Sequence, residues 1–273
     1  MSGARQHVAA APAPAAPPLP AAVLAIALNT FREAIRDRVL YLLLVFALII
    51  IGVSRLLSLL TVGNEEKIIK DVGLSAISLF GVLTAVFVGV SLVFKEIERR
   101  TVYTLLAHPV RRWQFLVGKY VGLLAVLVMN VALMSVGLFV LLLLRGEPPW
   151  ALAPAILLIV VELAVVTAFA LLFSSLTNPI LASVWTFATY VTGHLSWSLL
   201  LLKEKVPGAA ARAFCDVLYW ILPNLSRMNL KAEAVHGLET GPGHVPLAVV
   251  YGLGYATVVL LTACWVFERK DFN

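Results

Sequence analysis

Side chains capable of chemistry are sparse in this chain, and three of them stand inside long apolar runs: Asn130, Glu162 and His194. A carboxylate near mid-bilayer costs about 2.5–3.5 kcal/mol on insertion scales, so such a group ordinarily faces a bundle interior or a water-filled path. Glu162 therefore has two readings. It lines a translocation path or works as an acid or base, or it is a protonated carboxyl hydrogen-bonded to a neighbouring helix. Asn130 and His194 are further candidates for lining a path; for His194 the plainer alternative is an interfacial aromatic belt shared with Tyr190 and Trp197 on one helical face. A different chemistry, protein recognition, is offered by the stretch from Lys95 to Lys119, KEIERRTVYTLLAHPVRRWQFLVGK. There Thr101, Leu105 and Leu106 make an apolar strip flanked by Glu96, Glu98, Arg99, Arg100, Arg111 and Arg112, which suits a buried centre with a charged rim. A solvated loop whose arginines only hold membrane orientation is the alternative.

Other chemistries lack their residues. The sequence has no HExxH, no GxSxG and no GxxxxGK[ST] phosphate loop, and its Gly118-Lys119 pair is followed by Tyr120 without the upstream glycine. No catalytic residue and no cofactor are expected on this chain, and any ATP would be bound by a partner subunit. His236 and His244 lie in a Gly/Pro-rich stretch without Cys or carboxylates at ligand spacing, so no metal site is expected. Cys215 and Cys264, the two cysteines, exclude a disulfide framework.

The elements that must position these groups follow from composition. With 273 residues, 61% hydrophobic and only 13% charged, and a mean hydropathy of +0.95, the chain holds more apolar surface than one water-soluble core buries. Six runs of about 20 residues are long enough to cross a hydrocarbon core as helices: 39–60, 72–94, 120–144, 151–173, 180–202 and 246–267. The fold class is all-α, a polytopic membrane protein with six transmembrane helices. With both termini cytoplasmic, the larger share of the 21 Lys and Arg residues falls on the inner side, as the positive-inside rule requires. The net charge of +6 is then a topology signal and not a nucleic-acid footprint, since no basic stripe with interleaved stacking aromatics lies outside the central loop.

Residues 1–20, MSGARQHVAAAPAPAAPPLP, are too Ala/Pro-rich for a packed core and read as a disordered cytoplasmic tail. The remainder, 21–273, reads as one membrane domain. It opens with Leu24, Ala27, Leu28, Phe31, Ala34 and Ile35 at helical spacing opposite Arg32, Glu33, Arg36 and Asp37. That pattern predicts an N-terminal amphipathic interfacial helix, or a cytoplasmic extension of the first span. Gly118-x-x-x-Gly122 opens the third span and allows another helix to approach closely. The outer segment 203–245 contains the apolar stripe Ala211, Phe214, Cys215, Leu218, Tyr219 and Leu222, closed by Pro223-Asn224. It reads as an amphipathic helix at the outer leaflet serving as gate, docking surface for an extracytoplasmic partner, or lid over the bundle.

Three stretches carry a family resemblance: NTFREAIRDRVLYLLL (Asn29–Leu44), KEIERRTVYTLLAHPVRRWQFLVGKYVG (Lys95–Gly122) and YWILPNLSRMNLKAEAVHG (Tyr219–Gly237). The chain resembles the membrane subunit of ATP-binding-cassette (ABC) transporters of the type-2 exporter class, and within it the permeases associated with maturation of the multicopper enzyme nitrous oxide reductase. In the central loop an acidic-basic turn, the Thr101-x-x-x-Leu105-Leu106 helix, Pro109, an Arg and then Gly118-Lys119 stand in the family's order, with Arg100 where the family usually has Gly. The resemblance implies a half-transporter. A second copy or a similar permease would complete it, a separate cassette ATPase would dock on the coupling loop 95–119, and the site would be a bacterial inner membrane surrounded by lipid. Two alternatives from other classes stand beside it: a lipid-modifying membrane enzyme using Glu162, and a non-transporting membrane anchor or assembly factor. The methionines, Met1, Met129, Met134 and Met228, line up on no single route, so the resemblance does not extend to copper transport.

Overall fold

The computed structural model describes residues 19–59, 64–98, 111–196, 212, 222–238, 241 and 243–269. All of its regular elements are helical: α1 Leu19–Ile35, α2 Arg38–Ser58, α3 Glu65–Glu98, α4 Arg112–Leu143, α5 Ala153–Leu176, α6 Pro179–His194, α7 Lys231–His236 and α8 His244–Arg269. Single 3-10 turns at Pro149–Leu152 and Leu225–Met228 lead into α5 and α7. The expected tail 1–20 lies outside the described residues except for Leu19 and Pro20, which open α1.

The helix ends follow local chemistry. Asp37 breaks α1 from α2 and caps the latter, its Oδ1 accepting from the Val39 amide at 2.9 Å. Asn178 caps α6 in the same way, accepting from the Leu181 amide at 2.9 Å, with Pro179 at the first helical position. Between α4 and α5, Gly146 adopts φ +77°, a left-handed conformation that glycine takes without strain.

Five helical stretches are long and apolar enough to cross a membrane: Arg38–Ser58, Glu65–Leu92, Arg112–Leu143, Pro149–Leu176 and His244–Arg269. The sixth expected span, 180–202, is described only as α6, whose 16 residues rise about 24 Å against a hydrocarbon core of about 30 Å. Residues 197–202 lie outside the described ones.

Helix α5 is apolar on every side and occupies the centre, packed against α3, α4, α6 and α8. One core cluster joins Ile69, Leu74 and Ile77 of α3 with Met134 and Leu138 of α4 and Leu158 of α5. A second, at the end where α4 begins, joins Leu92, Phe115, Leu116, Leu171 and Phe267 with Ala34 of α1 and Leu40 of α2. That end carries α1, the start of α4 and the end of α8, and we call it proximal; the opposite end, where α3 and α8 begin, is distal.

Candidate functional site

At the distal end the residues 222–238 do not form an open loop. Leu225, Met228, Leu230 and Val235 are buried and belong to the main core. Two glycines make this possible. A Cβ on Gly193 would lie 2.7 Å from Leu225 Cγ and 2.9 Å from the Pro223 carbonyl oxygen, and one on Gly252 would collide with Val161 and reach 3.1 Å from Met228. These residues form a cap set into the bundle. The apolar stripe expected at 211–222 falls outside the described residues save Arg212 and Leu222.

Beneath the cap the structure brings Glu162 and His194 together, Nε2 to Oε1 at 2.6 Å, from α5 and the last turn of α6. The Glu162 side chain is 1% exposed and that of His194 20%. Glu162 Oε2 has no partner among the described residues. The Tyr190 ring stands edge-on to the His194 ring, with centroids 4.7 Å apart, and its hydroxyl is 3.5 Å from Ser78 of α3. The cap is tied to the same turn: Ser226 donates to the His194 carbonyl at 2.7 Å and Ser196 donates to Asn224 Oδ1 at 3.0 Å. The Asn224 amide in turn donates to the Tyr251 hydroxyl of α8 at 3.0 Å. Burial holds the Lys231 ammonium of α7 below the usual lysine range, against the opposing pull of the Glu162 and Asp71 carboxylates.

Asn130 is elsewhere. Its amide donates to Thr84 Oγ1 at 3.1 Å, and Thr84 donates to the Phe80 carbonyl, so it ties α4 to α3 inside the core. The distal rim adds ion pairs between α3 and the turn after α4, Lys70 to Glu147 at 3.3 Å and Arg145 to Glu65, and within α3 Lys70 also lies 3.7 Å from Glu66.

At the proximal end, α1 lies across α4 where Gly118 and Gly122 thin it, as that spacing predicts. A Cβ on Gly122 would stand 2.6 Å from the Ala27 carbonyl oxygen, and one on Gly118 2.7 Å from Ile26. The face of α1 turned inward is built of Ala22, Ala27, Thr30 and Ala34, while Leu24 and Leu28 are exposed. Beside the glycines, Lys119 is 1% exposed and 3.7 Å from the Glu33 carboxylate, with its ammonium 5.8 Å from the centre of the Phe115 ring. Sequence reasoning did not find this pair, because Lys119 reads as the end of a solvated basic loop.

Of the expected partner-binding residues, Glu96 and Glu98 fall in the last turn of α3. Arg111 precedes α4, its amide donating to Gln114 Oε1 at 2.9 Å, and Arg112 donates to the Glu268 carbonyl of α8 at 3.2 Å. Arg99, Arg100, Thr101, Leu105, Leu106 and Pro109 lie outside the described residues. Finally, an apolar cleft of about 650 Å³ separates α3 from α6, walled by residues such as Leu83, Phe87, Val90, Ile180, Val184 and Phe187. None of Asn130, Glu162 and His194 lines it.

The sequence matches one family model, described as ABC-2 family transporter protein, over residues 24–272. No curated protein matches it.

Proposed function

The chain belongs to the ABC-2 family of transporter proteins, and on that premise we propose that it is the permease half of an ABC exporter that works as a dimer on a separate cassette ATPase. The observation that carries this reading is the length of the two helices flanking the central loop. Helices α3 and α4, of 34 and 32 residues, rise about 51 and 48 Å, well beyond the roughly 30 Å that a hydrocarbon core requires. Both reach the proximal end, where an ATPase on that side of the membrane would be within reach of them. The loop between them holds the apolar strip Thr101, Leu105 and Leu106 with its charged rim. The proximal end is then cytoplasmic, with both termini on that side, in a bacterial inner membrane.

The dimer partner, a second copy or a similar permease, meets the face that carries the cleft between α3 and α6. Such an apolar hollow needs apolar cover, either cargo or the facing subunit. ATP is bound and hydrolysed by the partner ATPase, and its closure pushes on the loop and alternates access along the dimer axis. The resemblance to permeases linked to nitrous oxide reductase assigns no cargo. Among the described residues no three His, Cys, Asp or Glu side chains group to hold a metal ion. A lipid-modifying role for Glu162 finds no support in its geometry, since the carboxyl is sealed between His194 and the cap.

The test is association with the cassette ATPase in detergent. Arg99→Glu with Arg100→Glu and Leu105→Asp should abolish co-purification and the ATP hydrolysis that depends on this subunit. Intact association of the triple variant would show the coupling assignment to be wrong.

A further inference from the structure

The group around Glu162 is built to hold one side chain in one place. A carboxyl this deep in a membrane helix is costly unless its oxygens are satisfied. Oε1 is satisfied by His194 at 2.6 Å and Oε2 has no partner among the described residues. Glu162 thus leans on a single neighbour. That neighbour is also where the cap is fastened: the His194 carbonyl accepts from Ser226, Ser196 two residues on donates to Asn224, and Gly193 one residue before gives Leu225 its seat. Any shift of His194 away from α5 carries the cap's anchoring points with it.

We propose that Glu162 and His194 are the positioning pair that latches the residues 222–236 onto the bundle, and that the two must part for the distal end to open during transport. The second half rests on the permease reading; the first does not. A cap fastened largely through one turn can be seated or released as a unit, and a transport cycle can bias the two states. The ionisable groups around the pair are Tyr190 on α6 itself, Lys231 on α7 and, on α3, Asp71 acting through Lys231.

Hydrogen exchange of the purified full-length chain decides the latch. His194→Leu and Glu162→Leu should each speed exchange in 222–236 about tenfold, the loss expected for a buried hydrogen bond. Residues 123–138 of α4 should stay as protected as in the wild type, which shows that the bundle is folded. His194→Gln keeps an N–H donor at similar reach and should remain within about threefold of the wild type. Unchanged exchange in His194→Leu overturns the proposal. So does His194→Gln exchanging as fast as His194→Leu, because ring packing against Tyr190 and not the hydrogen bond would then hold the cap. The opening role is read in the complex with the ATPase, where a non-hydrolysable ATP analogue should raise exchange of 222–236 in the wild type and leave the already fast His194→Leu unchanged. A hydrolysing complex whose cap exchange ignores nucleotide overturns that role. A chain that binds no ATPase overturns the permease reading and the opening role with it, while exchange in the chain alone still decides the latch.

Discussion

Each end of the molecule holds a peripheral element to the bundle beside a pair of one acidic and one basic side chain, and the two pairs are built in opposite sense. At the distal end the buried member is a carboxylate, Glu162, and the basic partner His194 sits nearer the edge; the atoms are 2.6 Å apart. At the proximal end the buried member is an ammonium, Lys119, and the acid Glu33 stands at the edge, 39% exposed and 3.7 Å away. The difference lies in what else does the holding. Helix α1 is seated by shape, with backbone carbonyls of Val23 and Ala27 close over Gly118 and Gly122. The cap is seated partly by shape, at Gly193 and Gly252, and partly by a chain of hydrogen bonds running through His194. Shape forms a joint that resists change; a chain of hydrogen bonds forms one that can be undone in a step.

The contrast breaks most severely at Gly122. Gly122→Leu would drive a side chain into the Ala27 carbonyl, and backbone cannot swing aside as a side chain can, so the joint should lose about 3 kcal/mol. A cysteine placed at buried Ala27 should be inert to a water-soluble maleimide in the parent and react readily once Gly122→Leu is added. Unaltered labelling would show that α1 is held by something other than close packing.

A smaller effect, about 1 kcal/mol, is expected at the proximal pair, and its sign pattern sharpens the comparison. Glu33→Gln leaves a buried ammonium with one compensating charge fewer, whereas Lys119→Met removes the buried charge itself and keeps the apolar stem. Removing the exposed partner should therefore cost more than removing the buried one. Thermal unfolding of the two variants side by side measures this; a larger loss for Lys119→Met would mean that Lys119 contributes through contacts beyond Glu33.

The smallest effect is that of pH on the cap. The Lys231 ammonium is held below its ordinary 10.5 by burial. A lowered value means that the seated cap binds this proton less well than the released one. The contribution of Lys231 to seating is therefore fully favourable above the ordinary lysine value and declines as pH falls through the lowered one. Exchange of 222–236, corrected for its intrinsic pH dependence, should slow as pH rises from the lowered value toward 10.5. Lys231→Met should remove the trend.

Much of this was legible in the sequence. Hydropathy marked six runs, and five of them coincide with helices long and apolar enough to cross a membrane, because lipid imposes length and apolarity on each segment separately. The Gly118-x-x-x-Gly122 spacing announced a close helix crossing, and Glu162 and His194 stood out as polar groups in apolar runs. Their pairing did not, since two residues 32 positions apart meet only through the crossing of α5 with α6. The cap was equally hard to read. The sequence left gate, docking surface and lid open for this stretch, and only the glycine seats on α6 and α8 turn Leu225 and Met228 into core. Lys119 was misleading for a related reason: its charge belongs to a basic loop in sequence, while α1 folds over it in space.

Helix α2 leaves most of its circumference uncovered by the other described residues. It buries a narrow line of Leu40, Ala47, Ile51, Ser54 and Ser58, while Tyr41, Leu42, Val45, Phe46 and Ile49 look outward. Most of what holds it upright is therefore supplied from outside the chain, by acyl tails pressing on those side chains. Its firmness is a property of the solvent as much as of the polypeptide, and it is the span whose tilt would register a change in lateral pressure or acyl-chain length first.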